Sequence, residues 1–209
     1  ADIESLRQRV AQAGGSPQAL YAASLASLKL RDADAAQRHA LALRDAVGGD
    51  AQAAQVVRYL LAEIALARND ATAALAALQL DESPAAMREW SRAQLMLWGQ
   101  AQVMRGTVDS LVDRLQTWVA LQPRDGSAWQ MLSAAYQRRA DTLRAVRADA
   151  ESFVARLDYP AALDRLRAAQ DMVAQAARDG RPVDHIEASI IDSRTRQVSS
   201  MVREQALQR

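Results

Sequence analysis

Apolar residues recur every three or four positions through most of the sequence, which is the spacing of one face of an α-helix. The stretch after Pro182 is one example, because its apolar residues fall mainly on a single stripe. Glycine and proline interrupt the pattern and divide it into segments of helical length. The interruptions lie at 14–17, 48–50, 81–84, 123–126 and 179–182, with shorter ones at 31–32, 69–70, 105–106 and 140–141. The pattern therefore predicts an all-α protein of helices joined by short turns.

Helix start signals occur at several of these breaks. Ser16 and Ser83 each precede a proline. A serine hydroxyl can cap the start of a helix, and proline is tolerated at the first helical position because its missing N–H would have no partner there. Asp184 and Glu187 have the spacing of a capping box. We therefore expect one helix to begin after each serine and the last helix to begin after Asp184.

The composition agrees with a helical protein that has a sizeable core. The 209 residues are 50% hydrophobic but only 4% aromatic, with 8 Gly and 5 Pro, and residues of high helix propensity are abundant. The 26 Lys and Arg nearly balance the 25 Asp and Glu, so the net charge gives no general attraction to nucleic acid or to an anionic membrane. The absence of cysteine excludes disulfides, thiol nucleophiles and thiolate metal sites.

Membrane insertion is not expected. No apolar run approaches the roughly 20 residues that a membrane-spanning helix needs. The polar residues 1–5 also lack the pattern of a signal peptide, so we expect none within this chain.

The interruptions recur as parts of a repeat. From Arg92 onward, large and small residues take the positions expected in a helix–turn–helix of about 34 residues, and this part of the chain resembles the tetratricopeptide repeat. The residues that carry the resemblance are Leu95, Trp98, Gly99, Gly106, Leu111, Trp118 and Pro123, followed in the next unit by Trp129, Leu132, Ser133, Tyr136 and Ala140.

The resemblance implies one right-handed solenoid of antiparallel helix pairs over residues 1–209. Its predicted units lie near 17–50, 55–82, 92–125, 126–157 and 143–178, so the helix at about 142–156 serves two units. A long C-terminal helix at 184–207 is predicted to cap the last unit, because the end of a solenoid otherwise exposes apolar surface. Small residues at two repeat positions would let paired helices approach closely, and Trp98 and Trp129 are predicted to fill the layers between helices.

Catalytic side chains do not form a recognisable pattern. His39 and His185 are the only histidines, and neither belongs to an H-E-x-x-H motif, which places two imidazoles and a glutamate around zinc. We predict a helix-surface position for His39 and a local structural role beside the helix cap for His185. No serine has an activating His or Lys nearby, and no Gly-rich phosphate loop follows a strand. The chain is therefore predicted to be non-enzymatic, without a metal or a cofactor of its own.

A basic run includes Arg138, Arg139, Arg144 and Arg147. Acidic residues alternate with these arginines and aromatic residues do not, so we favour a solvated helix face over a nucleic-acid surface.

Tetratricopeptide arrays bind other proteins, and the resemblance implies a groove lined by the first helix of each pair. At the positions that line this groove in the family, this sequence has both adaptable apolar side chains and side chains that can form hydrogen bonds. This mixture suits an extended or partly folded protein client. The predicted groove residues are Tyr21, Tyr59, Glu63, Met96, Gln100, Met104, Gln130, Gln137 and Arg138.

A more specific resemblance covers roughly residues 90–209. The segments DGSAWQML (125–132), LRAVRADAE (143–151), LDYPAALDR (157–165) and DHIEASIID (184–192) look like the C-terminal tail of bacterial beta-barrel assembly-enhancing proteases. These are periplasmic zinc metallopeptidases with tetratricopeptide tails. The resemblance implies a periplasmic module that recruits outer-membrane proteins or their assembly machinery to its own protease domain.

That catalytic domain, with its H-E-x-x-H segment and its zinc, would precede Ala1 and contributes no residue to this chain. The alternative is a stand-alone scaffold or secretion chaperone of the tetratricopeptide type, with no enzyme attached.

Overall fold

The computed structural model describes residues 3–11 and 15–207 of the chain. Over these residues it consists of twelve α-helices without a β-strand, which confirms the all-α prediction. Gly14, part of the first predicted interruption, lies outside the described residues. The chain divides into two compact units after Arg105, and this division falls within the unit predicted at 92–125.

The described part of unit 1 contains seven helices. They are α1 (Ile3–Ala11), α2 (Pro17–Lys29), α3 (Ala33–Val47), α4 (Ala51–Ala67), α5 (Ala71–Leu78), α6 (Pro84–Arg88) and α7 (Arg92–Arg105). α2 packs against α3 and α4 against α5, while α7 packs against both α4 and α5. Ser16 and Ser83 cap α2 and α6 as predicted, since their hydroxyls accept hydrogen bonds from the backbone N–H of Ala19 and Ala86.

Five helices lie in the part of unit 2 that the structure describes. They are α8 (Asp109–Leu121), α9 (Gly126–Arg138), α10 (Thr142–Val154), α11 (Tyr159–Arg178) and α12 (His185–Leu207). α10 packs extensively against both α9 and α11. α12 packs against α11 and, at a few positions, against α10. Ile191 and Val198 of α12 are fully buried in a core with Leu166 of α11.

Four of the turns between helices have the same geometry. The residues Arg31, Asn69, Ala140 and Leu157 adopt left-handed conformations with φ of 61°, 59°, 58° and 63°. Each is followed by an aspartate that caps the next helix through its carboxylate. The backbone N–H of this aspartate also bonds to a carbonyl five residues earlier, which is the bond of a Schellman motif. Three of these four turns coincide with the short interruptions of the sequence pattern.

A serine hydroxyl joins the two helices of a pair in each unit. Ser24 of α2 donates a hydrogen bond to the carbonyl of Ala36 in α3 at 2.9 Å, and Ser133 of α9 donates to the carbonyl of Ala145 in α10 at 2.8 Å. All four residues are buried. In both bonds the serine and the alanine are 12 residues apart in sequence, and these small residues permit close approach of the two helices.

The left-handed turns give a test of local strain. We expect Ala140→Gly to raise the free energy of unfolding by about 0.5–1 kcal/mol, because a left-handed conformation is unfavourable for alanine but not for glycine. Ala168→Gly is the matched control, since Ala168 is exposed in the interior of α11 and glycine there costs about 1 kcal/mol. Urea denaturation measures both; destabilisation by both variants would contradict the strain argument.

Candidate functional site

The predicted groove residues lie on four helices. Six belong to unit 1 and three to unit 2, and every one of them is exposed or half-buried. Unit 1 carries Tyr21 on α2, Tyr59 and Glu63 on α4, and Met96, Gln100 and Met104 on α7. Unit 2 carries Gln130, Gln137 and Arg138 on α9. All nine side chains are therefore accessible to a partner, and we treat the two sets separately.

In unit 1, Tyr21 lies at a shallow apolar depression. The depression has a volume of about 240 Å³, and α2, α3 and α4 all contribute to it. Tyr21 is 38% exposed and Val56 of α4 is 46% exposed, while Val57 and Leu43 beneath them are buried. The depression can accept an apolar side chain of a partner, with the tyrosine hydroxyl available for a hydrogen bond.

The remaining residues of the unit 1 set lie on two helices that pack against each other, α4 and α7. Tyr59 and Glu63 are one turn apart on α4, and Met96, Gln100 and Met104 follow at intervals of one turn on α7. Each helix thus presents one row of these side chains. The hydroxyl of Tyr59 accepts a hydrogen bond from the Gln55 amide at 2.7 Å.

Glu63 has an altered acid strength. Burial by neighbouring atoms raises the pKa of its carboxyl above the ordinary value, although the side chain as a whole remains exposed. A carboxyl whose pKa is raised on folding stabilises the fold at low pH, and this contribution is lost as the pH rises through the raised pKa. A cationic or hydrogen-bond-donating group of a partner would offset the free-energy cost of desolvating the ionised Glu63 carboxylate.

In unit 2, the predicted residues of α9 lie opposite its packed face. Gln130 and Gln137 are two turns apart and exposed, as is Arg138. The buried side of the same helix contains Leu132, with 2% exposure, and Tyr136, with 3%. α9 therefore offers a row of amides to a partner while its other face forms the core.

A network of ion pairs between α10 and α12 is the feature that the sequence did not reveal. Glu187 of α12 is buried and pairs with Arg147 of α10, and its carboxylate also lies 3.5 Å from Arg144. One helical turn further along α10, the buried Glu151 accepts two hydrogen bonds from Arg194 of α12, at 2.6 and 2.7 Å. No local pattern could have shown these pairs, because about 40 residues separate the partners.

The arginines of the basic run therefore differ in environment. Arg138 is exposed, and Arg139 is paired at the surface with Asp109. The side chain of Arg147 is only 19% exposed and that of Arg144 36%. The expected solvated face was wrong for these last two arginines, because the carboxylates of α12 draw them into the contact between helices.

The predicted capping box is present in part. The Asp184 carboxylate accepts hydrogen bonds from the backbone N–H of Ile186 and Glu187, but the Glu187 carboxylate faces the arginines of α10. The hydrogen bond from the Glu187 N–H and the nearby Arg144 hold the pKa of Asp184 below its ordinary value. Because the ionised Asp184 is favoured in the folded state, it stabilises the fold above about pH 4. This stabilisation is lost as the pH falls through the lowered pKa.

The histidines are far apart in sequence and lie on helices of different units. His39 is half-buried on α3, and His185 is exposed at the first position of α12. Within the described ranges, no group of three or more His, Asp and Glu side chains could hold a metal ion. None of the helices in the described part of the chain is both long and apolar enough to cross a membrane.

Comparisons with protein-family models and with curated proteins identify no relative of this chain. No protein-family model matches the sequence, and no curated protein gives a significant match. The functional assignment therefore depends on the residues and on the geometry of the two units.

Proposed function

We propose that this chain is a non-catalytic module that binds other proteins. The observation that carries the proposal is the apolar depression at Tyr21, where an exposed aromatic side chain and Val56 border a surface open to solvent. Tyrosine supplies a large rigid contact area together with a polar group, which favours its use at protein interfaces. The exposed amide of Gln100 in unit 1 can form hydrogen bonds with an extended peptide backbone, and that of Gln130 offers the same on a separate face of unit 2.

We further propose that the module is the tetratricopeptide tail of a periplasmic zinc metalloprotease. It would recruit outer-membrane proteins or their assembly machinery to the protease domain. This proposal is supported by the resemblance of residues 125–132, 143–151, 157–165 and 184–192. It is also supported by the two serine-to-carbonyl bonds, each of which joins residues 12 positions apart in successive helices. The zinc would belong to the catalytic domain, and no residue of this chain is assigned to it.

The alternative function is a stand-alone scaffold or secretion chaperone. The sequence encoded upstream of Ala1 distinguishes the protease tail from the stand-alone protein. An H-E-x-x-H segment there supports the protease tail, whereas its absence removes the protease connection. Both alternatives share the protein-binding surface.

Site-specific crosslinking tests the binding function. A photoreactive residue at Tyr21, Gln100 or Gln130 should crosslink to proteins in a bacterial envelope extract, because these positions belong to the proposed binding faces. The matched controls are Thr72 on α5 and Ser110 on α8, which are also exposed but lie outside the proposed faces. Crosslinking of equal yield at the control positions would contradict the assignment of the binding surface.

A further inference from the structure

A groove between α11 and α12 of unit 2 is lined mainly by polar and cationic side chains. Its volume is about 580 Å³. Two arginines and two hydroxyl residues come from α12, and a third arginine comes from α11. The residues that line the groove are Leu163, Arg167, Gln170, Asp192, Thr195, Arg196, Ser199 and Arg203. None of them belongs to the predicted binding faces.

The positive charge of this groove is not neutralised from within. Asp192 is its one carboxylate, and it already accepts a hydrogen bond from Gln170 at 2.7 Å. Arg167 lies 3.9 Å from Asp164, at the limit of an ion pair, and its side chain is 61% exposed. Arg196 and Arg203 are exposed and make no ion pair within the part of the chain that the structure describes.

The arginines of α12 are also regularly spaced. Arg196 and Arg203 are seven residues apart, so they share one face of the helix, about 10 Å apart along its axis. In a polyproline II helix, an extended conformation with three residues per turn, side chains three positions apart share one face and are separated by about 9 Å. Arginine binds carboxylates through charge-assisted and often bidentate hydrogen bonds. Ser199 lies between the two arginines in sequence and Thr195 directly precedes Arg196, and both hydroxyl residues line the same groove.

We infer that this groove binds an extended acidic peptide segment, with carboxylates three residues apart on Arg196 and Arg203. A nucleic acid is less suited to the site, because the residues that line it include no aromatic side chain on which bases could stack. A flat membrane surface is also less suited, since the charges line a recess between two helices. The inference goes beyond the proposed binding faces and does not depend on Tyr21 or on α9.

Fluorescence anisotropy with a labelled short peptide tests the inference. The probe carries glutamates at positions i and i+3 in a serine-rich background, and the matched probe carries glutamines there. We expect the acidic probe to bind more tightly, and the binding to weaken as the ionic strength rises. R196Q and R203Q should each reduce the affinity about threefold to tenfold.

The control variant is R124Q, which removes the same charge from an exposed position of unit 2 outside the groove. Circular dichroism checks that each variant is folded, and Tyr21→Ser should leave binding of the acidic probe unchanged. Equal affinity for the two probes would overturn the inference, as would equal weakening by R124Q and R196Q. It would also be overturned if a single-stranded oligonucleotide or anionic phospholipid vesicles bound to the groove and the acidic probe did not.

Discussion

Trp98→Ala is expected to lower the free energy of unfolding by about 3–5 kcal/mol. Trp98 is only 1% exposed, and its ring packs edge-to-face against Trp90 with 5.2 Å between the ring centroids. Truncation removes this contact and leaves a large cavity in unit 1, because the surrounding helices can close it only in part. Urea denaturation followed by circular dichroism measures the loss.

Two further variants show whether the loss comes from packing. Trp129 is half-buried, and its indole N–H donates to the Pro123 carbonyl at 3.0 Å, so Trp129→Ala should cost only about 1–2 kcal/mol. The Trp98 indole N–H is buried without a hydrogen-bond partner among the described residues. Trp98→Phe should therefore cost less than Trp98→Ala, because it keeps an aromatic ring and removes a polar group left unpaired. Equal destabilisation by Trp98→Ala and Trp129→Ala would contradict this account.

Glu187→Gln is expected to destabilise unit 2 by about 2–3 kcal/mol. Removing one partner of a buried ion pair leaves the other charge uncompensated, at a typical cost of about 3–5 kcal/mol. The expected loss is smaller here, because the partly exposed side chains of Arg144 and Arg147 can turn toward water. Hydrogen exchange should locate the effect, with faster exchange of amides in α10 and α12 than in α9.

Glu204→Gln is the matched control for this prediction. Glu204 lies on the same helix but is exposed, and it accepts a hydrogen bond from Ser200, so its substitution should change stability by less than about 0.5 kcal/mol. Replacing both Glu187 and Arg147 with methionine should restore part of the loss, since an apolar pair carries no buried charge. If Glu187→Gln were as mild as Glu204→Gln, the pair would not hold α12 to α10.

The parts of the fold that were predictable from the sequence depend on local interactions. Arg31, Asn69 and Ala140 lie at three of the predicted breaks, and each is followed directly by the aspartate that caps the next helix. The structure has a tight turn at each of them. The small residues at Ser133 and Ala145 were also informative, because backbones can approach closely only where side chains are small. Trp98 was correctly expected to be buried.

What the sequence did not predict depends on contacts between distant segments. The start of α6 after Ser83 was predicted, but its end after only five residues was not. The packing of Trp90 against Trp98 was not predicted either, because it depends on the path of the chain after α6. Arg147 had acidic neighbours along its own helix, so nothing local indicated that its partner would be Glu187. The nine predicted groove residues proved accessible, and their common role in binding stays a prediction.

Packing between successive helices has a kinetic consequence. Most contacts within each unit join helices that are adjacent along the chain, so their formation closes only short loops and costs little chain entropy. Such a low contact order favours fast folding. A nascent chain could acquire its native structure a few helices at a time during synthesis. The pairing of α12 with α10 would come last within unit 2, because α12 is the last helix of that unit to be synthesised.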